Sequence, residues 1–210
     1  MRINIIVTVM IFLALICLCG CSSDLQTSGE QTSGEVPYNT IPIPDPAEIN
    51  RTIYSVNIDW VNYSTTEEVV DAATNIFTGK VVDVSFEVVD TSRDEIIRSE
   101  VTDSLSCRLY TVYTIEVDKN YKGNHAETVK LFIVGGIIGQ YEEEQFGRME
   151  EVGLDGWTLV TKTKYLTLGE SYLFCTQRAT NWDMIIGMDD FVYYPNSQLA
   201  RQIIQQCEKR

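Results

Sequence analysis

The stretch Cys107-Arg108-Leu109-Tyr110-Thr111-Val112-Tyr113-Thr114-Ile115-Glu116-Val117 decides the fold. In an extended chain Cys107, Leu109, Thr111, Tyr113, Ile115 and Val117 share one face, and Arg108, Tyr110, Val112, Thr114 and Glu116 share the other. A period of two is the signature of a strand, and the more apolar first set is expected to face the core. Asn120-Tyr121-Lys122-Gly123-Asn124 reads as a turn, after which residues 128–134 return as a partner strand. Upstream, residues 76–89 are long enough for one bent strand, with Gly79 marking a bulge or a tight corner. Downstream, residues 157–161, 171–175, 182–186 and 191–194 read as short strands, with Leu168-Gly169-Glu170 turning into the second of them. Phe77, Val81, Val84, Leu109, Tyr113, Ile115, Val117, Leu131, Ile133, Leu173 and Phe174 are the expected core.

Two helices flank this β-rich segment. Thr65 with Glu68, and Ser64 with Glu67, have capping-box spacing, and Val69, Val70, Ala72 and Ala73 supply an apolar face for about two turns. Near the C-terminus Asn196 or Ser197 is placed to cap a helix whose apolar side is Leu199, Ala200, Ile203, Ile204 and Cys207. Residues 137–155 interrupt the strands as a long acidic insertion carrying Glu142, Glu143, Glu144, Glu150 and Glu151. Glycine punctuation there predicts a solvated flap or, if ordered, a functional loop.

The N-terminus reads as an address. Arg2 precedes the apolar run 5–18, which is secretory in length and shorter than the roughly 20 residues of a spanning helix. Leu18-Cys19-Gly20-Cys21 ends it. This resembles the lipobox of bacterial lipoproteins, and the resemblance implies cleavage before Cys21 and attachment of a diacylglyceryl group to its sulfur. Cys19 is a poor alternative because the bulky Leu18 precedes it. The organisation expected is therefore a signal peptide over 1–20, a tether over 21–52 and one domain over 53–210. The tether contains Gln26-Thr27-Ser28-Gly29-Glu30 repeated at once as residues 31–35, followed by Pro37, Pro42, Pro44 and Pro46. Such a polar, glycine- and proline-containing segment buries no core.

Charge narrows the partners. The chain has 16 basic and 30 acidic residues, a net charge of −14. That field repels polyphosphates and no local basic patch offsets it, so nucleic acid is not an expected partner. Anionic headgroups are repelled as well, leaving the lipid on Cys21 to hold the chain to the bilayer. Beyond Cys21 the cysteines are Cys107, Cys175 and Cys207, an odd number with no zinc-like spacing. Cys107 and Cys175 are open to two readings, a bridge or plain core thiols, with core thiols favoured.

The order of elements carries a second resemblance. A short helix leads into a long strand with an internal glycine, then an alternating strand ending in Tyr121-Lys122-Gly123, then a Val/Ile-rich strand. After the insertion comes Leu168-Gly169-Glu170-Ser171-Tyr172-Leu173-Phe174. This is similar to the netrin-like domain shared with tissue inhibitors of metalloproteinases, in the disulfide-free form of uncharacterised lipoproteins of Gram-positive bacteria. The resemblance covers about residues 65–194. It implies a mainly β, OB-fold-like, closed or partly open barrel carrying a short N-terminal and a C-terminal helix. It does not carry inhibitory residues with it. Those inhibitors act through a free N-terminal cysteine amine, whereas Cys21 is expected to be acylated and separated from the domain by the tether.

The remaining residues offer little obvious chemistry. His125, the single histidine, sits in a turn and is expected to be exposed. No nucleophile–base pair, phosphate loop or calcium-loop spacing stands out, so no catalytic residue, cofactor or metal is assigned. Tyr141, Phe146 and Trp157 lie in or beside the acidic insertion and are the candidate partner contacts, with the glutamates as a rim favouring basic groups. The function expected is that of a non-catalytic extracytoplasmic module binding a protein, peptide or glycan at the cell membrane. A cell-envelope hydrolase or a purely structural envelope protein is the alternative.

Overall fold

The computed structural model describes residues 52–56, 61–101, 105–137, 139–154, 156–160, 164–179, 182–185 and 191–210. The expected signal peptide, Cys21 and the expected tether up to residue 51 lie outside the described residues. In chain order the elements are β1 (Thr52–Val56), α1 (Thr66–Ala72), β2 (Asn75–Asp90), β3 (Glu95–Ile96), β4 (Cys107–Lys122) and β5 (Thr128–Val134). They continue as α2 (Glu142–Glu150), β6 (Gly156–Val160), β7 (Ser171–Arg178), β8 (Asp183–Ile185), β9 (Val192–Tyr193) and α3 (Gln198–Glu208).

Seven strands form one mixed sheet in the order β3-β2-β4-β5-β8-β7-β9, and β2 also pairs with β7. The β5–β8 pair is parallel, and every other pairing in this sheet is antiparallel. β1 and β6 pair in parallel as a separate two-stranded sheet. The mainly β, OB-fold-like (netrin-like) barrel of the sequence reading is corrected here. The described residues make a mixed α/β fold in which three helices accompany the sheet. The sequence pattern anticipates β2, β4, β5 and β7 but not β1 or β3, and it is blind to the nine-residue helix α2 inside the insertion, where acidic residues and a glycine mask the helical period.

The local reasons for the elements are chemical. Thr65 and Glu68 form a reciprocal capping box at α1, and Glu68 accepts from the Ser64 N–H as well. The far end of α1 is closed by Lys122 from β4, whose Nζ donates to the carbonyls of Val70 at 2.6 Å and Ala73 at 2.5 Å. A cation at a helix C-terminus satisfies the orphan carbonyls and the dipole together. The Ser197 Oγ accepts from the Ala200 N–H to cap α3. α3 buries Ala200 and Ile203 and packs on α1, with an Arg210–Asp71 ion pair closing the contact.

β2 is bent as Gly79 foretold. Its register against β4 shifts at Thr78/Gly79 and again at Val81/Asp83. A Cβ on Gly79 would fall 2.6 Å from the Glu116 carbonyl oxygen, so only glycine permits the close approach of β4.

The core holds Phe77, Val81, Leu109, Tyr113, Ile115, Leu131, Ile133, Leu173 and Phe174, all buried, while Val84 and Val117 are half-buried against it. Phe77 stacks on Phe174 with centroids 5.2 Å apart. Tyr110 and Val112, assigned to the outer face of β4, are buried too. Tyr110 lies against Phe132, which stacks on Trp182 at 4.9 Å, so this part of the sheet is covered on both sides. Leu173→Ala should cost about 2–5 kcal/mol, read as a lower urea midpoint at unchanged slope, because its fully buried side chain leaves a cavity. Cys107 and Cys175 are buried and Cys207 is half-buried, and no disulfide joins any of the three to another described cysteine.

Candidate functional site

Three places gather polar or exposed chemistry: a buried cluster on Asp183, the surface begun by α2 and a pocket at the β2–β4 connection.

Asp183 opens β8 and is nearly buried. Its Oδ1 accepts from the Asn75 Nδ2 at 2.9 Å and from the Thr176 Oγ1 at 2.8 Å. His125 Nε2 lies 3.3 Å from the same oxygen, off the axis of a good hydrogen bond, and both side chains are more than nine-tenths buried. Burial pushes the Asp183 carboxyl up, but His125, Thr176 and Asn75 together outweigh it and hold the group below its ordinary value. One carboxylate thus ties β2, β7, β8 and the β4–β5 turn together.

His125 is therefore not the exposed turn residue expected. Its ring sits edge-on to Phe77 at 4.7 Å, and the Asn120 side chain brackets its backbone, accepting from the N–H and donating to the carbonyl. Nothing in the local sequence announces this, because Asn75 and Asp183 are 108 positions apart. Gly123 completes the arrangement. Its φ is +75°, and a Cβ there would meet the Asn75 Oδ1 at 2.1 Å. The Tyr121-Lys122-Gly123 run consequently has two physical duties, the Lys122 cap on α1 and a bare backbone against Asn75. Gly123→Ala should destabilise by about 2–3 kcal/mol in thermal unfolding, combining left-handed strain with displacement of the Asn75 amide.

The cluster has the outline of a catalytic Asp–His pair, and among the described residues no third member meets the histidine. Thr176 gives its hydroxyl to Asp183, and the described neighbours of His125 are Asp183, Asn120 and Phe77. A nucleophile has to meet the histidine, not the carboxylate behind it. What the arrangement does is pin a turn and a three-residue strand to the sheet.

The acidic insertion is an ordered, packed element. Gln145 is fully buried and hydrogen-bonds back to its own entry loop, accepting from the Ile137 N–H at 2.8 Å and donating to the carbonyls of Ile137 and Gln140. Met149, Val152 and Leu154 join the core. Arg148 reaches Glu87 of β2 at 3.2 Å and the Ile97 carbonyl, and Glu87 also takes a bidentate grip from Arg98 at 2.8 and 2.9 Å. Glu142, Glu143 and Glu144 occupy the first turn of α2, where the helix dipole favours anions, and all three side chains are exposed.

The three candidate contacts part company here. Tyr141 is exposed, at the N-cap of α2, with φ +58°. Its ring leans on Phe86 with centroids 5.8 Å apart. Phe146 is half-buried against the core and serves packing. Trp157 falls on β6, and its side chain lies outside the described residues. Among the described residues there is no group of three or more His, Cys, Asp or Glu placed to hold a metal, and no helix is long and apolar enough to cross a membrane.

A polar pocket of about 200 Å³ opens near the β2–β4 connection, lined by Asp90, Ser92, Arg93, Glu100, Ser106 and Cys107 among others. Its buried carboxylate is already satisfied. Asp90 takes the Ser92 hydroxyl at 2.6 Å and pairs with Arg93 at 3.2 Å, and the Ser92 hydrogen bond holds it below the usual carboxylate range.

No protein-family model matches the chain, and no curated protein matches it.

Proposed function

We propose that this chain is a lipid-anchored, extracytoplasmic binding module of the cell membrane, without catalysis of its own. The anchor is read from Leu18-Cys19-Gly20-Cys21 behind a secretory-length apolar run, and the tether from the repeat at 26–35.

The observation that carries the binding reading is the state of Tyr141. A non-glycine residue in the left-handed region is uncommon and is strained. Here it holds an aromatic ring at the surface, braced on Phe86, next to three exposed glutamates on a packed helix. A rigid aromatic with an acidic rim suits a basic protein or peptide segment, or a glycan that stacks on the ring. A hydrolase built on the Asp183–His125 pair would need a nucleophile beside His125, and the described contacts of that ring and its backbone are Asp183, Asn120 and Phe77.

The test is crosslinked capture from intact cells, comparing the natural chain with Tyr141→Ala combined with Glu142→Lys and Glu143→Lys. These changes leave Gln145, Arg148 and Met149 to hold α2 in place. Loss of a partner from the variant supports the proposal. An identical partner set from a folded variant removes this face as the contact, and turnover of a wall substrate removes the non-catalytic reading.

A further inference from the structure

β1 stands apart from the rest of the fold. It pairs with β6 alone, Thr52 to Gly156 through Val56 to Val160, in a parallel two-stranded sheet separate from the seven-stranded one. Two-stranded sheets are marginal by themselves, and parallel pairs are slightly weaker per residue than antiparallel ones. On its N-terminal side β1 follows a polar segment with repeated Gly and Ser and four prolines, whose composition supplies no core. On its C-terminal side eight residues, 57–64, lead to the Thr65 cap. Fully extended, that connection spans at most about 30 Å.

From this we infer that β1 is an exchangeable strand, and that the β6 edge accepts Thr52–Val56 of a second copy of the same chain. The inference rests on the lipid-anchor reading in one respect, the crowding of copies on one surface. Exchange replaces five register pairs by five identical ones, so it makes and loses the same backbone hydrogen bonds. The balance is then set by effective concentration, the chain's own β1 on its short connection against neighbouring copies held in the same membrane. A tethered chain confined to a plane presents its neighbours' β1 at far higher local concentration than a chain free in solution. The partner is specified by the register itself, since no other described element pairs with β6.

The test uses register-matched cysteines in the full-length chain, with Cys207→Ser throughout to remove the half-buried thiol. Cells or vesicles carrying a mixture of Tyr54→Cys and Thr158→Cys chains are oxidised, and covalent heterodimer is measured. Tyr54 and Thr158 are register partners, whereas Leu159 is one position further along β6 and out of register with Tyr54. Heterodimer from the Tyr54→Cys and Thr158→Cys mixture should exceed that from Tyr54→Cys with Leu159→Cys by roughly tenfold, and should rise with surface density. Equal yields from the two mixtures indicate random collision and overturn the inference. So does a Tyr54→Cys/Thr158→Cys double variant that closes only within one chain while the mixture gives no heterodimer at any density. Repeating the mixture on Cys21→Ser chains separates the two readings. If exchange persists in concentrated solution but the natural chain is never membrane-bound, the anchor fails and the exchange stands.

Discussion

Asp183→Ala should lower the stability of the domain by about 3–5 kcal/mol, since each buried donor left without its acceptor costs about 1–3 kcal/mol. For a domain of this size that is a fall of roughly 10 °C in the unfolding midpoint. The loss comes from what is left behind. Asn75 and Thr176 keep buried donors with no acceptor, and His125 keeps a buried ring nitrogen facing an empty site. Asp183→Asn, which retains one carbonyl oxygen, should cost less. The pH dependence follows from the lowered carboxyl of Asp183. A group depressed on folding stabilises fully above its unfolded value, near pH 4, and loses that contribution as pH falls through its folded value. Urea midpoints should therefore drop on acidification more steeply in the natural chain than in Asp183→Asn. Parallel acid profiles for the two would show that Asp183 is not held as described.

This cluster also marks where sequence reading stops. The capping box at Thr65 and Glu68, the bend at Gly79, the inward face of β4 and the Ser197 cap on α3 all depend on neighbours within a few residues or on a simple period. They were legible for that reason. The fold class was misjudged because the helical content of the insertion was hidden. Gln145, the buried residue that locks α2 to its entry loop, is polar and looks like surface in a string of glutamates. β1 was missed because Thr52–Val56 finds its partner a hundred positions downstream. Asn75, His125, Thr176 and Asp183 are ordinary residues in sequence and become a site only when β2, β7, β8 and a turn converge. Of the proposed contacts, Tyr141 was legible as an aromatic beside acids. Phe146 was not distinguishable from it until the helix showed which side faces the core.

The second large effect concerns location. Cys21→Ser should move the signal-cleaved protein from the detergent phase to the aqueous phase, and a variant that stays membrane-bound with its signal cleaved contradicts the proposed anchor. Each buried methylene of an acyl chain contributes about 0.8 kcal/mol, so two chains anchor stably where one is marginal. The net charge of −14 adds nothing to that attachment on an anionic surface and opposes it. A Cys19→Ser variant should behave as the natural chain, since Cys19 belongs to the segment we propose is removed.

The most direct measurement is the intact mass of the N-terminal peptide from protein extracted out of the membrane. A mature chain beginning at Cys21 and carrying a diacylglyceryl thioether is the predicted result. A chain still beginning at Met1, or one cut elsewhere with Cys21 unmodified, contradicts the anchored module and everything about location that depends on it.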